Sequence, residues 1–414
     1  MHIHYASVND TILNGDNTFL AKVLLERLNP DKWPFSIRDL PVGSALVGGA
    51  IRDALLNRLR DRPDLDLIVP KHAIKITESF AKKLDATCVV LDADRDIARL
   101  VFEGWTIDIA TQIGCSLEED LCRRDFRLNA IALKLNPCSE IVDPTGGVRD
   151  LYQKRIVAVH EQNLVQDPLR LLRGLRLMAE LNLFLDPQTR TFINTHAHLL
   201  SNSAPERIQS ELQRIVSVND SEEVIKLIKE IGLLRFWVNQ SKPFRREIFV
   251  NEDKQILSSK ELSMALPLAR LTDLLSDSGL VNLRFSRKQC KRCKLLRKWE
   301  MRNDGVAFET LEENERLELH QDLGEDLPAL ILQLDRKDQE VWIKRWRDVN
   351  DPLFHPYSPL DGTTLQQSLG LSAGPQIGAL MHHLCHERAF GRLNNRDTAL
   401  QAARQWLKHN STLL

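Results

Sequence analysis

The sequence is poor in several features that would point to a special compartment. Its seven cysteines are scattered along 414 residues. A chain of that length with 43% hydrophobic residues can build its core without disulfides. No run of about 18 apolar residues occurs, which argues against a membrane span. The N-terminal MHIHYASVND has neither a basic start nor an apolar stretch, so it does not read as a secretory leader. A reducing cytoplasm is the expected setting. No fixed-period repeat and no biased segment is visible. An excess of one charge is also missing: 56 basic residues meet 57 acidic ones, for a net charge of −1. Whole-chain charge therefore gives no sign of a nucleic-acid partner. Only locally does one sign dominate, in the basic, acid-free run Arg284 to Lys298, which at face value is a solvated helix face.

The length exceeds what one core usually serves, so two or more domains are expected. Residues 1–160 alternate short strand-like runs with helical segments and read as a mixed α/β unit. A helix is expected near 16–28 and another over 74–85; TCVVLD, IARLVFE and WTIDIAT read as strands. After Gln166 the period is almost wholly helical. Helices are expected over 167–182, 204–216, 221–232, 260–276, 287–300, 308–323, 325–334, 337–347, 374–388 and 395–408. The proline-containing stretch 348–374 reads as a linker. The fold class is thus α+β, an α/β head followed by an all-α remainder.

Chemistry concentrates in four places. Gly48 and Gly49 stand at a strand-to-helix turn, where the backbone can approach an anion; Arg52 and Asp53 follow. Asp64 and Asp66 are two apart in a strand, so both carboxylates share one face. Two such groups repel unless a cation lies between them, and hard oxygen ligands suit Mg²⁺ held jointly with phosphates. Asp108 lies inside the apolar run Trp105–Ala110; it is either a third ligand or an edge residue bonded to backbone. The segment Glu118–Ala132 reads as a charged helix start running into an apolar end. Its Arg123, Arg124, Asp125 and Asn129 either grip a triphosphate and ribose or form surface salt bridges. In Gln166-Asp167-Pro168-Leu169-Arg170, Asp167 and Arg170 share one helix face, with Arg173 and Arg176 extending a basic stripe. Such an Asp–Arg pair is usually an intrahelical ion pair, but it can also present an acceptor and donors to the edge of a base.

The strings GGAIRD…DLD, RRDFRLNAIA, DPTGG, QDPLRLLRGLRL and ERIQSEL occur in this order. Together they resemble the class II tRNA nucleotidyltransferase and bacterial poly(A) polymerase family, from Leu46 to about Val216. A weaker likeness spans Asp361 to Leu407. The resemblance implies a catalytic head at 1–160, a neck with a nucleotide-selecting helix at 161–216, and an RNA-binding body and tail at 217–414. It implies Asp64 and Asp66 as the metal pair with Asp108 as the third acid, and two Mg²⁺ ions during catalysis, with Mn²⁺ an open alternative. Gly48, Gly49 and Arg52 would form the phosphate-binding turn, and Arg123, Arg124, Asp125 and Asn129 would hold ribose and triphosphate. Asp167 and Arg170, with Arg173 and Arg176 beyond, would read the incoming base, steadied by Glu206 and Arg207. The family usually has glutamate where this chain has Gln166, which puts the orientation of Arg170 in doubt.

The expected substrates are tRNA, CTP and, less directly, ATP, with no membrane partner. Family members that build a full CCA end carry a flexible loop between the third acidic strand and the RRD motif. Here only Thr111–Cys115 fills that place, too few residues for a mobile lever. The expected product is therefore a CC end, with a separate A-adding enzyme completing it. A full CCA-adding enzyme, a poly(A) polymerase, a nucleotidyltransferase for small acceptors and a non-catalytic RNA-binding relative stand as alternatives. Cys290 and Cys293 lack a nearby second pair, so they read as ordinary helix residues rather than a zinc site. If RNA lies along the helical half, the basic run 284–298 is one candidate contact, and Lys344, Arg345, Trp346 and Arg347 are another, although a lone Trp-containing helix is more often core packing.

Overall fold

A computed structural model describes residues 17–238, 256–302 and 308–410. The chain divides into two compact units, one running to Glu211 with Glu230–Leu233, the other comprising Leu212–Lys229 and the residues from Leu234 onward.

The first unit opens with helix α1 (Asn17–Leu28), followed by strand β1 (Ala45–Val47), helix α2 (Gly49–Leu55), β2 (Leu65–Val69), α3 (Ala73–Leu84), β3 (Thr87–Asp92), β4 (Ile97–Phe102) and β5 (Trp105–Thr111). Then come α4 (Leu117–Cys122), β6 (Ala132–Leu135), β7 (Cys138–Val142) and α5 (Gly147–Tyr152). The seven strands form one sheet in the order β3-β4-β5-β2-β1-β6-β7. Every pairing is antiparallel except β2 with β5. The central strands are buried on both faces, which is why they read as continuous apolar runs. Ala45, Val47, Ile68, Leu117, Leu121, Ala130, Ala132, Val142 and Val159 make one core cluster. The charged start of the segment 118–132 is helical, but its apolar end is not. Helix α4 spans six residues, a 3₁₀ turn covers Arg127–Asn129, and Ala132 already belongs to β6. The polar Arg123-Arg124-Asp125 segment interrupts the helix because its groups bond to neighbouring segments instead of to the helix ladder.

Beyond the sheet the unit is helical: α6 (Glu161–Gln166), α7 (Leu169–Leu181), α8 (Pro187–His196) and α9 (Pro205–Val216), with a small parallel pairing of β8 (Arg155–Ile156) and β9 (Phe184–Leu185). Gly174 lets α7 approach Phe126 closely: a Cβ there would fall 2.6 Å from the Phe126 ring. Asp186 caps α8 through the Gln188 and Thr189 amides, with Pro187 in the first turn; this helix was not expected.

The second unit contains α10 (Glu222–Ile231), whose last residues belong to the first unit, α11 (Ser259–Leu274), α12 (Asp277–Asn282), α13 (Arg287–Arg302), α14 (Glu313–Leu323), α15 (Leu327–Ile331), α16 (Arg336–Arg347), α17 (Gly362–Leu369), α18 (Pro375–Ala389) and α19 (Arg396–Asn410). Helix α11 starts at a reciprocal Ser258–Glu261 capping box. Its Arg270, 2% exposed, donates to the carbonyls of Val216, Val218 and Asn219. It thereby satisfies backbone acceptors left open where α9 ends. The expected linker at 348–374 is instead structured. Asp361 caps α17, and Leu360 and Leu365 join Ile377, Leu380, Leu384, Ala399 and Ala403 in a separate buried cluster.

The basic run forms α13 and has two characters. Arg292 is paired with Asp326, Arg297 with Asp277, and Lys298 with Glu318 and Asp322, whereas Arg287, Lys288, Lys291 and Lys294 are exposed or nearly so on the helix surface. Cys290 and Cys293 lie on the same helix, the second buried. On α16, Arg345 is committed to Asp351, Arg347 to Glu261, and the Trp346 indole to the Gly324 carbonyl. Lys344 of the same run is exposed. Among the described residues, no helix is long and apolar enough to cross a membrane.

Candidate active site

The site is built on four adjacent strands. In the sheet register Val47 lies beside Asp66, Asp66 beside Asp108, and Asp108 beside Arg99. Directly paired residues project to the same face, with Cβ atoms about 5 Å apart. Asp64 stands one residue before β2 and two before Asp66. Asp64 and Asp66 thus stand at the start of one strand as their spacing predicts, and the register sets Asp108 beside Asp66. Burial raises the Asp66 carboxyl. Arg124 opposes that rise, but Asp108 and Asp64 add to it, and the group stands at about 6 instead of 3.8. Arg124 and Arg99 do not offset the burial of this carboxylate, a condition that a divalent cation would relieve.

Asp108 is differently placed. Arg99 grips it with a two-pronged bond, Nε to Oδ1 at 2.7 Å and Nη2 to Oδ2 at 2.9 Å. Among the described residues no three His, Cys, Asp or Glu side chains converge as a metal site. Asp64 and Asp66 fit a divalent cation by their donor chemistry, while Asp108 joins only if Arg99 releases it. Arg99 was absent from the sequence reading, but β4 and β5 are linked by Glu103-Gly104, both at positive φ. A two-residue hairpin turn of that kind sets residue 99 against residue 108.

Gly48 forms the turn over these acids. Its φ is 75°, and a Cβ there would lie 3.3 Å from Asp66 Oδ2 and 3.5 Å from an Arg124 nitrogen. Only glycine fits both the conformation and the space. Gly49 begins α2, and Arg52 on that helix is fixed, bonding Asp53 at 2.9 Å and Asn129 at 2.8 Å.

From Asn129 a polar chain continues. Asn129 donates to Asp125 at 3.1 Å, and Arg173 donates to the other Asp125 oxygen at 3.1 Å. Arg173 also reaches Glu211 at 3.5 Å, and Glu211 receives Arg176 at 2.5 Å, which in turn bonds Glu180 at 2.7 Å. Burial acts to raise the Asp125 carboxyl, but Arg173, Asn129 and the Phe126 amide outweigh it and hold it below the ordinary range. Arg173 and Arg176 are thus neutralised within this chain. The intrahelical pair expected of Asp167 and Arg170 is not formed. Asp167 precedes α7 and takes both prongs of Arg207, at 2.9 and 3.3 Å. The Arg170 guanidinium instead donates to the carbonyls of Arg123 and Asn163, each at 3.0 Å. Asn163, a residue the sequence reading passed over, also bonds the carbonyls of Cys122 and Arg124 and so fixes the Arg123–Arg124 segment. Gln166 is exposed at the end of α6, and Glu206 is exposed in the first turn of α9. Arg123 is exposed, whereas the Nε groups of Arg124 and Arg170 are buried donors without a hydrogen-bond partner. Such unspent donors are rare in folded proteins and mark a place where a ligand can bond.

Residues 44–114 and 111–157 match the family model described as the poly A polymerase head domain. Residues 182–243 match the one described as the probable RNA and SrmB-binding site of polymerase A. A CC-adding tRNA nucleotidyltransferase of Synechocystis is 30% identical over 398 residues, covering 90% of this chain and 95% of that one. One from Thermus thermophilus is 29% identical over 414 residues, covering 87% and 93%. Among solved structures, the Thermotoga maritima CCA-adding enzyme complexed with tRNA superposes with a TM-score of 0.68 at 20% identity, over 94% of this chain and 98% of that one. The class defined by fold and site is the nucleotidyltransferase head joined to a helical body. The chain belongs, within that class, to the tRNA nucleotidyltransferase and poly(A) polymerase family.

Proposed function

We propose that this protein adds two cytidines to the 3′ end of tRNA from CTP, without a nucleic-acid template, and leaves the adenosine to a separate enzyme. The observation that carries the reading is the row of Asp66 and Asp108 on adjacent strands, with Asp64 beside them, roofed by the positive-φ Gly48 turn. The 3′-hydroxyl of the RNA gives up its proton to solvent as its oxygen bonds the α-phosphorus, the bond from that phosphorus to the bridging oxygen breaks, and pyrophosphate leaves with that electron pair. Mg²⁺, or Mn²⁺ in its place, bound through Asp64 and Asp66 would supply charge neutralisation on the triphosphate and lower the pKa of the attacking hydroxyl. The protein positions and neutralises. Gly48 and Gly49 let the backbone lie close to the phosphates. Arg123 and the unspent edge of Arg124 hold the triphosphate, while Arg52 and Asn129 buttress Asp125. Asp167 offers an acceptor and Arg170 donors to the base, with Arg207 fixing the acceptor in place of the more usual neighbouring glutamate. Residues 1–160 act as the catalytic head, 161–216 as the neck and 217–414 as the RNA-holding body and tail, working in the cytoplasm.

Restriction to cytidine is supported by the connection after β5. Gln112 bonds the Val69 carbonyl, Ile113 donates to Asp120, and Cys115 donates to Glu119. Of the five residues from Gln112 to Ser116, Gln112, Ile113 and Cys115 are so pinned and Ser116 caps α4, and a connection held in this way cannot act as a lever that retunes Asp167 and Arg170 from cytosine to adenine. The test is primer extension on tRNA ending at the discriminator base, with CTP and ATP together. Arrest after two added residues supports the reading; an efficient third, ATP-dependent addition overturns it.

A further inference from the structure

Arg99 and Asp108 form the tightest contact in the acidic row, and it consumes both oxygens of the third carboxylate. Arg99 also feels Asp64 and Asp66, whose charges add to that of Asp108 in holding its proton. Its side chain is 41% exposed, that of Asp108 26%. The guanidinium can therefore swing into water without leaving a buried cation behind. A divalent ion that uses Asp108 must displace this fork or bind the lone pairs that the fork leaves, and in either case shares the site with a positive charge a few ångströms away. Both effects weaken the binding of a free ion. A triphosphate changes the balance, because it adds negative charge and gives the displaced arginine an anion to meet.

We infer that Arg99 is a resident counter-cation of Asp108, a positioning residue that keeps the third carboxylate from free divalent ions until nucleotide arrives. The acidic site thus acquires its full cation set together with the nucleotide rather than before it. This inference rests on the metal-assisted reading of the site.

The test is direct Mn²⁺ titration of the nucleotide-free protein, with free Mn²⁺ followed by electron paramagnetic resonance. Arg99→Gln and Arg99→Val, the second suited to a strand, should each bind Mn²⁺ roughly tenfold more tightly than wild type. Arg99→Lys, which keeps the charge, should stay close to wild type. Adding Asp108→Asn to Arg99→Gln should cancel the gain, and saturating CTP should narrow the difference between wild type and Arg99→Gln. Unchanged or weaker Mn²⁺ binding in both neutral variants would overturn the inference while leaving the transfer reading intact. Absence of Mn²⁺ binding in every variant, with and without CTP, would overturn the metal-assisted reading and this inference with it.

Discussion

The first unit holds two acidic centres of opposite character. At Asp66, burial and the neighbouring Asp108 and Asp64 prevail over Arg124, and the carboxyl stands at about 6. At Asp125, which is more deeply buried, an arginine, an amide side chain and a backbone N–H prevail over burial, and the carboxyl is held low. Burial alone does not separate a reactive acid from a structural one; the count of donors does. Asp125 is complete within the protein, whereas Asp66 is complete only with something added. Substitutions that separate these roles should show it in the following order of effect.

On the proposed metal-assisted reading, Asp66→Asn should lower transfer by roughly three orders of magnitude or more, because the charge proposed to hold the cation is removed. The fold should survive, as an unchanged circular dichroism spectrum would show. Near-normal turnover in this variant would erase the distinction between the two centres. Asp125→Ala should instead unfold more easily, by about 3 kcal/mol in urea melts, since Arg173 loses a buried partner. A stable Asp125→Ala with wild-type melting would show that the polar chain is not structural. Arg170→Ala should blur discrimination among the four nucleotides by about ten- to a hundredfold, with a smaller loss of RNA affinity. Full selectivity combined with weaker RNA binding would place its donors on a phosphate.

The smallest effect is on pH. A carboxyl raised to about 6 in the folded chain binds its proton more tightly than in the unfolded one, where it titrates near 3.8. Folding stability from Asp66 is therefore highest below pH 4 and falls as pH rises towards 6. Because Asp66 is partly open to solvent, the change should be about 1 kcal/mol, far below the bare two-unit shift. Melting of metal-free protein should show this slope, and Asp66→Asn should remove it. Asp125 runs the other way: its contribution is present above about pH 4 and is lost as pH falls through its lowered value. A slope that persists in Asp66→Asn would assign the effect to another group.

Much of this was readable beforehand because it depends on local rules. The two-residue period placed Asp64 beside Asp66, the glycine pair announced the turn, and the helical period located most of the second unit. What stayed hidden depends on pairing between distant segments. Asp167 meets Arg207, 40 residues away, and Arg170 turns to backbone carbonyls, contacts that a shared helix face does not reveal. Arg99 needed the register of the β4–β5 hairpin, which Glu103-Gly104 did advertise. The helical start of the segment 118–132 ends at charged residues whose partners lie elsewhere. The stretch 348–374 looked like a linker because its prolines are conspicuous, while Leu353, Phe354 and Leu360 bury themselves individually. Helix α8 carries few apolar residues, and only Asp186 and Pro187 marked its start.

The run of alternating charges from Asn129 through Asp125, Arg173, Glu211 and Arg176 to Glu180 has a consequence for inheritance. Glu211 lies between two arginines and accepts from both. Change it to a neutral residue, and two like charges face each other in a largely dry interior; change either arginine, and an acid is left short of a partner. Single steps away from the present arrangement all pass through a less stable protein, so these positions should drift in concert across lineages or not at all. The residues that frame helix α7 are in that sense one heritable character, spelled at several places in the chain.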